Sequence, residues 1–174
     1  MANRFDNWQY PNLEEGKLSK YNWVVQHVEG LKLGYRTDIG AFSYINAKNG
    51  VILEDNVQLG SHCSVYSIST IDNKTGPVVL KANCCIGSHS TVMPNVLVGE
   101  NTIVGANSFV NKSLPADCIA VGCPAKIIKI KNKRGQWVNP RVEWLKGCCL
   151  KAIKCLKQLL SRVKKIVPWG KKSL

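Results

Sequence analysis

From Leu33 an apolar or small residue returns at every sixth position, as Leu33, Ile39, Ile45, Val51, Val57 and Cys63. A second run keeps the same interval, as Leu80, Ile86, Val92, Val98, Val104 and Val110. Leu53, Leu59 and Val65 interleave with the first run, each two residues after one of its members. A period of six suits neither an amphipathic helix at 3.6 nor a lone strand at two. It suits a coil with three short flat faces, one hexad to a face, in which the aliphatic side chain points inward. No single coil buries enough to stand alone, so the coils must stack around one continuous column. The expected fold is therefore all-β, a parallel solenoid. Glycine follows the aliphatic at Ile86-Gly87, Val98-Gly99 and Val104-Gly105, and Gly, Asn and Asp suit corners where φ is positive.

The phase breaks once. Ser67 to Pro77 is polar and ends in Gly76-Pro77, a loop signature, and the second run restarts only at Leu80. A loop over 67–79 is therefore expected to leave the coil, and a long loop on a regular scaffold is a place for function. With residues 71–79 outside the coil, Leu59 and Ile86 take equivalent places on adjacent coils. His62 and His89, each three residues further on, then stack.

Charge divides the 174-residue chain in two. Its net +13 is carried by the end: residues 1–125 hold nine Lys or Arg against ten Asp or Glu, and residues 126–174 hold fifteen against Glu143 alone. Asn139-Pro140 reads as a helix start. After it Leu145, Cys149, Ile153, Leu156, Leu160, Val163 and Val167 recur at helical steps, with lysines between them. The expectation is a basic amphipathic α-helix over 140–167. Its apolar face either packs on the body or on neighbouring tails, or lies on an anionic membrane surface. Few aromatics and no recognition module speak against nucleic acid.

Three regions follow: a cap over 1–32 holding Trp8, Tyr10, Trp23 and His27, the solenoid over 33–130, and the basic tail over 131–174. No apolar stretch reaches the length of a membrane span, and the first ten residues lack a signal's apolar core. The expected location is cytoplasmic, with peripheral contact at the inner face of the membrane left open. The eight cysteines show no CxxC pair and no zinc spacing with His, so reduced and mostly buried thiols are expected.

The stretch Ile86-Gly-Ser-His-Ser-Thr-Val-Met-Pro-Asn-Val-Leu-Val-Gly-Glu-Asn-Thr-Ile-Val-Gly-Ala-Asn-Ser-Phe-Val110, then Asn111-Lys112, then Val121-Gly-Cys-Pro-Ala-Lys126, resembles the hexapeptide-repeat acetyltransferases. Among these are the galactoside, maltose and nodulation O-acetyltransferases and the sugar-modifying enzymes of surface-glycan clusters. The resemblance spans about residues 33–130. It implies a left-handed parallel β-helix and a homotrimer with active sites in the clefts between prisms. It also implies acetyl-CoA as acyl donor, no metal, and a hydroxyl or amine of a sugar as acceptor, in the synthesis of surface polysaccharide, O-antigen or capsule. By position, Ser88 and Ala106 match residues whose backbone meets the pantetheine arm. Asn111 and Lys112 match a Thr-Lys pair, and Lys126 and Lys129 match two cations near the nucleotide phosphates, which need such partners.

One departure bears on mechanism. In the galactoside and maltose enzymes a loop His is the general base. Thr70 stands at that place here, with Ser69 and Asp72 beside it as candidate acceptor contacts. Two readings remain open. Either His62 or His89 serves as base, or the acceptor is an amine that needs less help, and catalysis rests on positioning. A γ-type carbonic anhydrase on this fold would need three His on zinc, and the repeats hold only two. The alternative outside catalysis is a solenoid adaptor that docks a membrane or partner through its tail.

Overall fold

The computed structural model describes residues 8–132 and 134–140. Among the described residues there are sixteen short strands, the first fourteen of which wind into a left-handed parallel β-helix with three faces. Face A stacks β1 (Val24–Gln26), β4 (Tyr44–Asn46), β7 (Ser64–Tyr66), β10 (Thr91–Val92) and β13 (Phe109–Val110). Face B stacks β2 (Leu31–Leu33), β5 (Val51–Leu53), β8 (Val78–Leu80) and β11 (Leu97–Val98). Face C stacks β3 (Asp38–Ile39), β6 (Gln58–Leu59), β9 (Cys85–Ile86), β12 (Ile103–Val104) and β14 (Cys118–Val121), and continues into β15 (Lys126–Lys131) and β16 (Trp137–Val138). Parallel pairing begins at Val24, ahead of Leu33, where the hexads become legible.

Register shows how the hexads are used. In the later coils Cys85 lies opposite Ile103 and Thr91 opposite Phe109, an advance of 18 residues. In the earlier ones Val24 lies opposite Tyr44 and Tyr44 opposite Ser64, an advance of 20. The two added residues sit at the corner from face A to face B. There the chain takes the turn Ala47–Gly50, with Ala47 buried and Gly50 at φ 93°. Leu33 consequently pairs with Leu53 and not with Val51. The unbroken run of sixes from Leu33 to Cys63 thus passes from one inward column to the other at that corner.

Both columns are core. Ile45, Val65, Val92 and Val110 fill one line and Leu53, Leu80 and Val98 another, all essentially without exposure. The second inward position holds Val51, Val57, Cys63, Val78 and Cys84, also buried. Trp23 closes the N-terminal end of the prism at 2 % exposure, held by a hairpin in which the Ser19 N–H donates to the Trp23 carbonyl. At the other end β15 folds back antiparallel on β14. Of the described cysteines, Cys63, Cys84 and Cys118 are buried, Cys85 is half-buried and Cys123 exposed, all as free thiols.

The corners obey one rule. From face B to face C the left-handed residues are Arg36, Asn56, Asn83, Asn101 and Asp117. The side chains of Asn56, Asn83 and Asn101 each donate to the next residue up, ending on Asp117. Asn and Asp tolerate this conformation best among residues with a side chain, and here they also form a ladder.

The extruded loop is shorter than expected. Val78 and Val79 belong to β8, with Val78 fully buried opposite Val51, so the loop proper is 68–77. Its base is pinned by the buried Ser67, whose hydroxyl donates to the Asn46 carbonyl at 2.8 Å. Among the described residues no helix is long and apolar enough to cross a membrane. A second unit runs from Val138. The basic helix expected over 140–167 lies outside the described residues from 141 onward.

Candidate active site

Face C carries an open groove of about 480 Å3. Its floor is the outward side of β3, β6, β9 and β12: Asp38, Gln58, Cys85 and Ile103. Its rim toward face A is the corner segment Gly60-Ser61, Gly87-Ser88 and Gly105-Ala106. Coils pass so close here that a methyl group on Gly60 would stand 2.5 Å from the Ser88 nitrogen, and one on Gly87 2.4 Å from the Ala106 nitrogen. The rim is therefore bare backbone at Gly60 and Gly87, where a side chain is excluded, and otherwise carries only the small side chains of Ser61, Ser88 and Ala106. Among the described residues the N–H groups of Ser88 and Ala106 have no hydrogen-bond partner. A ligand bearing amides can pair with them, and an unpaired amide is costly once covered.

Immediately beyond this rim stand His62 and His89, both exposed and both in the left-handed conformation at φ 58° and 59°. Leu59 lies opposite Ile86, and the two imidazoles stack, centroids 4.6 Å apart and planes 9° from parallel. The Phe42 ring extends the stack, 5.1 Å from His62 at a tilt of 37°. The histidines thus border the groove at the level of the Ser88 amide.

The loop residues lie elsewhere. His62 precedes β7 and the loop follows it, so the face A strand separates them. Ser69, Thr70 and Asp72 touch neither histidine. Ser69 and Asp72 instead hold the loop's own turn. The Ser69 N–H donates to the Lys74 carbonyl at 2.8 Å, and the Lys74 N–H donates to Asp72 Oδ1 at 3.3 Å. A hydrogen bond from the Ser69 hydroxyl keeps the Asp72 carboxyl below its usual range. Thr70 is exposed beside Ile71, which is 97 % exposed.

The residues matched to coenzyme contacts likewise fall into two sets. Ser88 and Ala106 line the groove. Lys126 and Lys129, both exposed, sit on β15 of the same sheet, two strands beyond β12. Asn111 and Lys112 follow β13 and occupy the opposite corner, on the side of the loop. The sequence reading missed the groove floor and Phe42. The floor had a signal: Asp38, Gln58, Cys85 and Ile103 each stand one residue before an inward aliphatic. Phe42 lies 20 residues before His62, the step that separates Ile39 from Leu59. Burial pushes the Cys85 thiol above its usual pKa. Among the described residues no group of three or more His, Cys, Asp or Glu could hold a metal ion.

Comparison with known proteins agrees with this architecture. Residues 77–112 match the bacterial transferase hexapeptide (six repeats) family. A protein assigned as an acetyltransferase in Schizosaccharomyces pombe is 31 % identical over 133 residues, 74 % of this chain and 64 % of its own length. A protein of Escherichia coli assigned as a colanic acid biosynthesis acetyltransferase is 38 % identical over 112 residues, 64 % of this chain and 57 % of its own. The chain thus spans less than two thirds of the length of these curated relatives. Among solved structures, a hexapeptide-repeat acetyltransferase of Vibrio cholerae, crystallised with acetyl-CoA, shares the fold with a TM-score of 0.60 at 22 % identity, over 64 % of this chain and 66 % of that one. The N-acyltransferase AntD of Bacillus cereus, in complex with dTDP-4-amino-4,6-dideoxyglucose and coenzyme A, gives 0.55 at 25 % identity, over 77 % and 86 %. The chain thus carries the hexapeptide repeat over residues 77–112 and shares the left-handed β-helix fold of the hexapeptide-repeat acetyltransferases it is similar to.

Proposed function

We propose that this chain is an acetyltransferase that takes its acyl group from acetyl-CoA and passes it to a hydroxyl or amine of a sugar, in the synthesis of surface polysaccharide. The observation that carries the reading is the smooth rim of Ser88 and Ala106, with its open amides, running directly beneath the His62–His89 stack. A pantetheine arm is a narrow chain with two amides, and this rim offers partners at successive coils with only the small side chains of serine and alanine beside them. Lys126 and Lys129 lie further along the same sheet, in reach of the phosphates at the far end of such a molecule. Bound there, acetyl-CoA supplies an activated thioester carbonyl at the histidines.

The protein's part is orientation and proton transfer. An imidazole nitrogen of His62 or His89 accepts the proton of the acceptor hydroxyl as its oxygen bonds to the acyl carbon. The departing sulfur takes a proton in turn, so the imidazole returns to its starting state. General-base catalysis of this kind contributes roughly 100- to 10,000-fold. Relatives that bind sugar nucleotides or serve colanic acid synthesis support a sugar as acceptor.

The residues on the loop side enter through a second copy. In a homotrimer, the corner of one prism bearing Ser69, Thr70, Asp72, Asn111 and Lys112 faces the groove of its neighbour, and the two half-sets meet in the cleft. Titration calorimetry with acetyl-CoA tests the reading. Saturable binding of one molecule per chain is expected. Absence of binding at millimolar ligand would turn the function to an adaptor. His62→Ala combined with His89→Ala should abolish O-transfer and leave acetyl-CoA binding intact. Full O-transfer activity in that double variant would remove both histidines from the base role.

A further inference from the structure

The corner between the groove and face A holds one residue that the fold does not ask for. Its left-handed positions, coil by coil, are Asn22, Phe42, His62, His89 and Asn107. Asn serves at both ends of this column and along most of the next corner. A bulky ring at φ 61° is an outlier, disfavoured by about 1 kcal/mol or more. Phe42 recovers nothing from the core, since it remains 64 % exposed. An exposed aromatic held in a strained conformation beside candidate catalytic groups points to a ligand.

The geometry says which part of a ligand. Phe42 lies one coil from His62, ring to ring 5.1 Å, close to the ~4.8 Å between neighbouring strands. The tilt of 37° opens the pair on one side like a shallow wedge. The face of a phenyl ring is electron-rich, and the C–H groups of a pyranose are polarised positive by the oxygens beside them. A pyranose packed on Phe42 spans about one coil, so a substituent on its rim reaches the level of His62. A nucleotide base held in the same place would leave its sugar a diphosphate's length away, past the histidines. The wedge fits the reacting sugar itself.

We propose that Phe42 is the acceptor-positioning residue of this site: a pyranose ring lies with its C–H face on the Phe42 ring and presents one hydroxyl or amine to His62. This rests on the acetyltransferase reading above and names the acceptor's contact. The test compares the wild type with Phe42→Asn, which suits the corner, and Phe42→Trp, which restores a ring. Saturation-transfer NMR uses the methyl pyranosides of glucose, galactose and mannose together with dTDP-4-amino-4,6-dideoxyglucose. Calorimetry follows acetyl-CoA, and light scattering follows assembly.

At least one probe should show transfer to its pyranose C–H protons in the wild type, weakened three- to tenfold in Phe42→Asn and recovered in Phe42→Trp. Acetyl-CoA affinity should stay within twofold, and the thermal midpoint should hold or rise. Equal sugar binding by Phe42→Asn overturns the proposal. So does a wild type that binds acetyl-CoA but none of the sugars, or one in which only the base of the nucleotide sugar is saturated. A change of assembly in Phe42→Asn overturns it as well, by making the ring a subunit contact. A wild type that binds a sugar through Phe42 but no acetyl-CoA refutes the donor reading instead.

Discussion

Cys84 occupies the second inward position of its hexad, which Val51, Val57 and Val78 fill in other coils, and its thiol is pushed up to about 12, chiefly by burial, with Cys85 and Glu54 adding repulsion. In the unfolded chain it titrates near 9. Between these values the unfolded state has lost a proton that the native state keeps, so stability must fall as pH rises, by at most about 1.4 kcal/mol per unit for one such thiol. Cys63 and Cys118, also raised by burial, act in the same direction. Urea midpoints are expected to drop between pH 8.5 and 10.5. Cys84→Ala, less stable overall, should show a shallower fall; identical slopes would remove the thiol from the account. Residues with one unambiguous chemistry were legible from the chain: counting alone stacked His62 on His89. Phe42 was not, because a lone phenylalanine carries no mark of a left-handed φ until the coil sets its corner.

At the scale of the element, period six located the strands from β3 to β13. It could not show that the corner from face A to face B takes eight residues, from Ile45 to Leu53, in early coils and six, from Val92 to Val98, in later ones. Inward positions occur in pairs two apart, so a slip of two leaves the apolar pattern intact. Only hydrogen-bonded pairing between coils distinguishes the registers. The same ambiguity put Val78 and Val79 into the loop. The glycines that follow the aliphatics were legible as corner residues, but their reason is approach between coils. A Cβ on Gly87 would meet Ala106 N at 2.4 Å and Gly105 C at 2.7 Å, all backbone. Gly87→Ala must therefore push two coils apart, and a cost of about 1–3 kcal/mol is expected. Because the displaced atoms are the groove's rim, acetyl-CoA affinity should fall together with the urea midpoint. A variant as stable as the wild type that binds acetyl-CoA normally would show that the rim can give way freely.

For the whole molecule, the division of the candidate residues between two corners decides the argument. Ser88, Ala106, His62 and His89 share one edge of the prism; Ser69, Thr70, Asp72, Asn111 and Lys112 share the edge at the far end of face A. A rigid β-solenoid cannot bend one edge to the other, so if both sets act on one acceptor they must come from different copies. A closed ring of three copies supplies this pairing three times over. Consider two variants, His62→Ala with His89→Ala, and Asn111→Ala with Lys112→Ala. Each alone should be inactive in O-transfer at limiting acetyl-CoA. Co-expressed in equal amounts and mixed at random, they should recover about a quarter of the wild-type rate, the share of clefts that draw one intact edge from each neighbour. Sites built within single chains would stay dead in the mixture, because every chain carries one defect. Recovery would assign the Asn111-Lys112 pair to the neighbour's groove. A silent mixture of two inactive variants would refute the sharing of a site between copies, whereas activity kept by Asn111→Ala with Lys112→Ala alone would confine the chemistry to the groove edge.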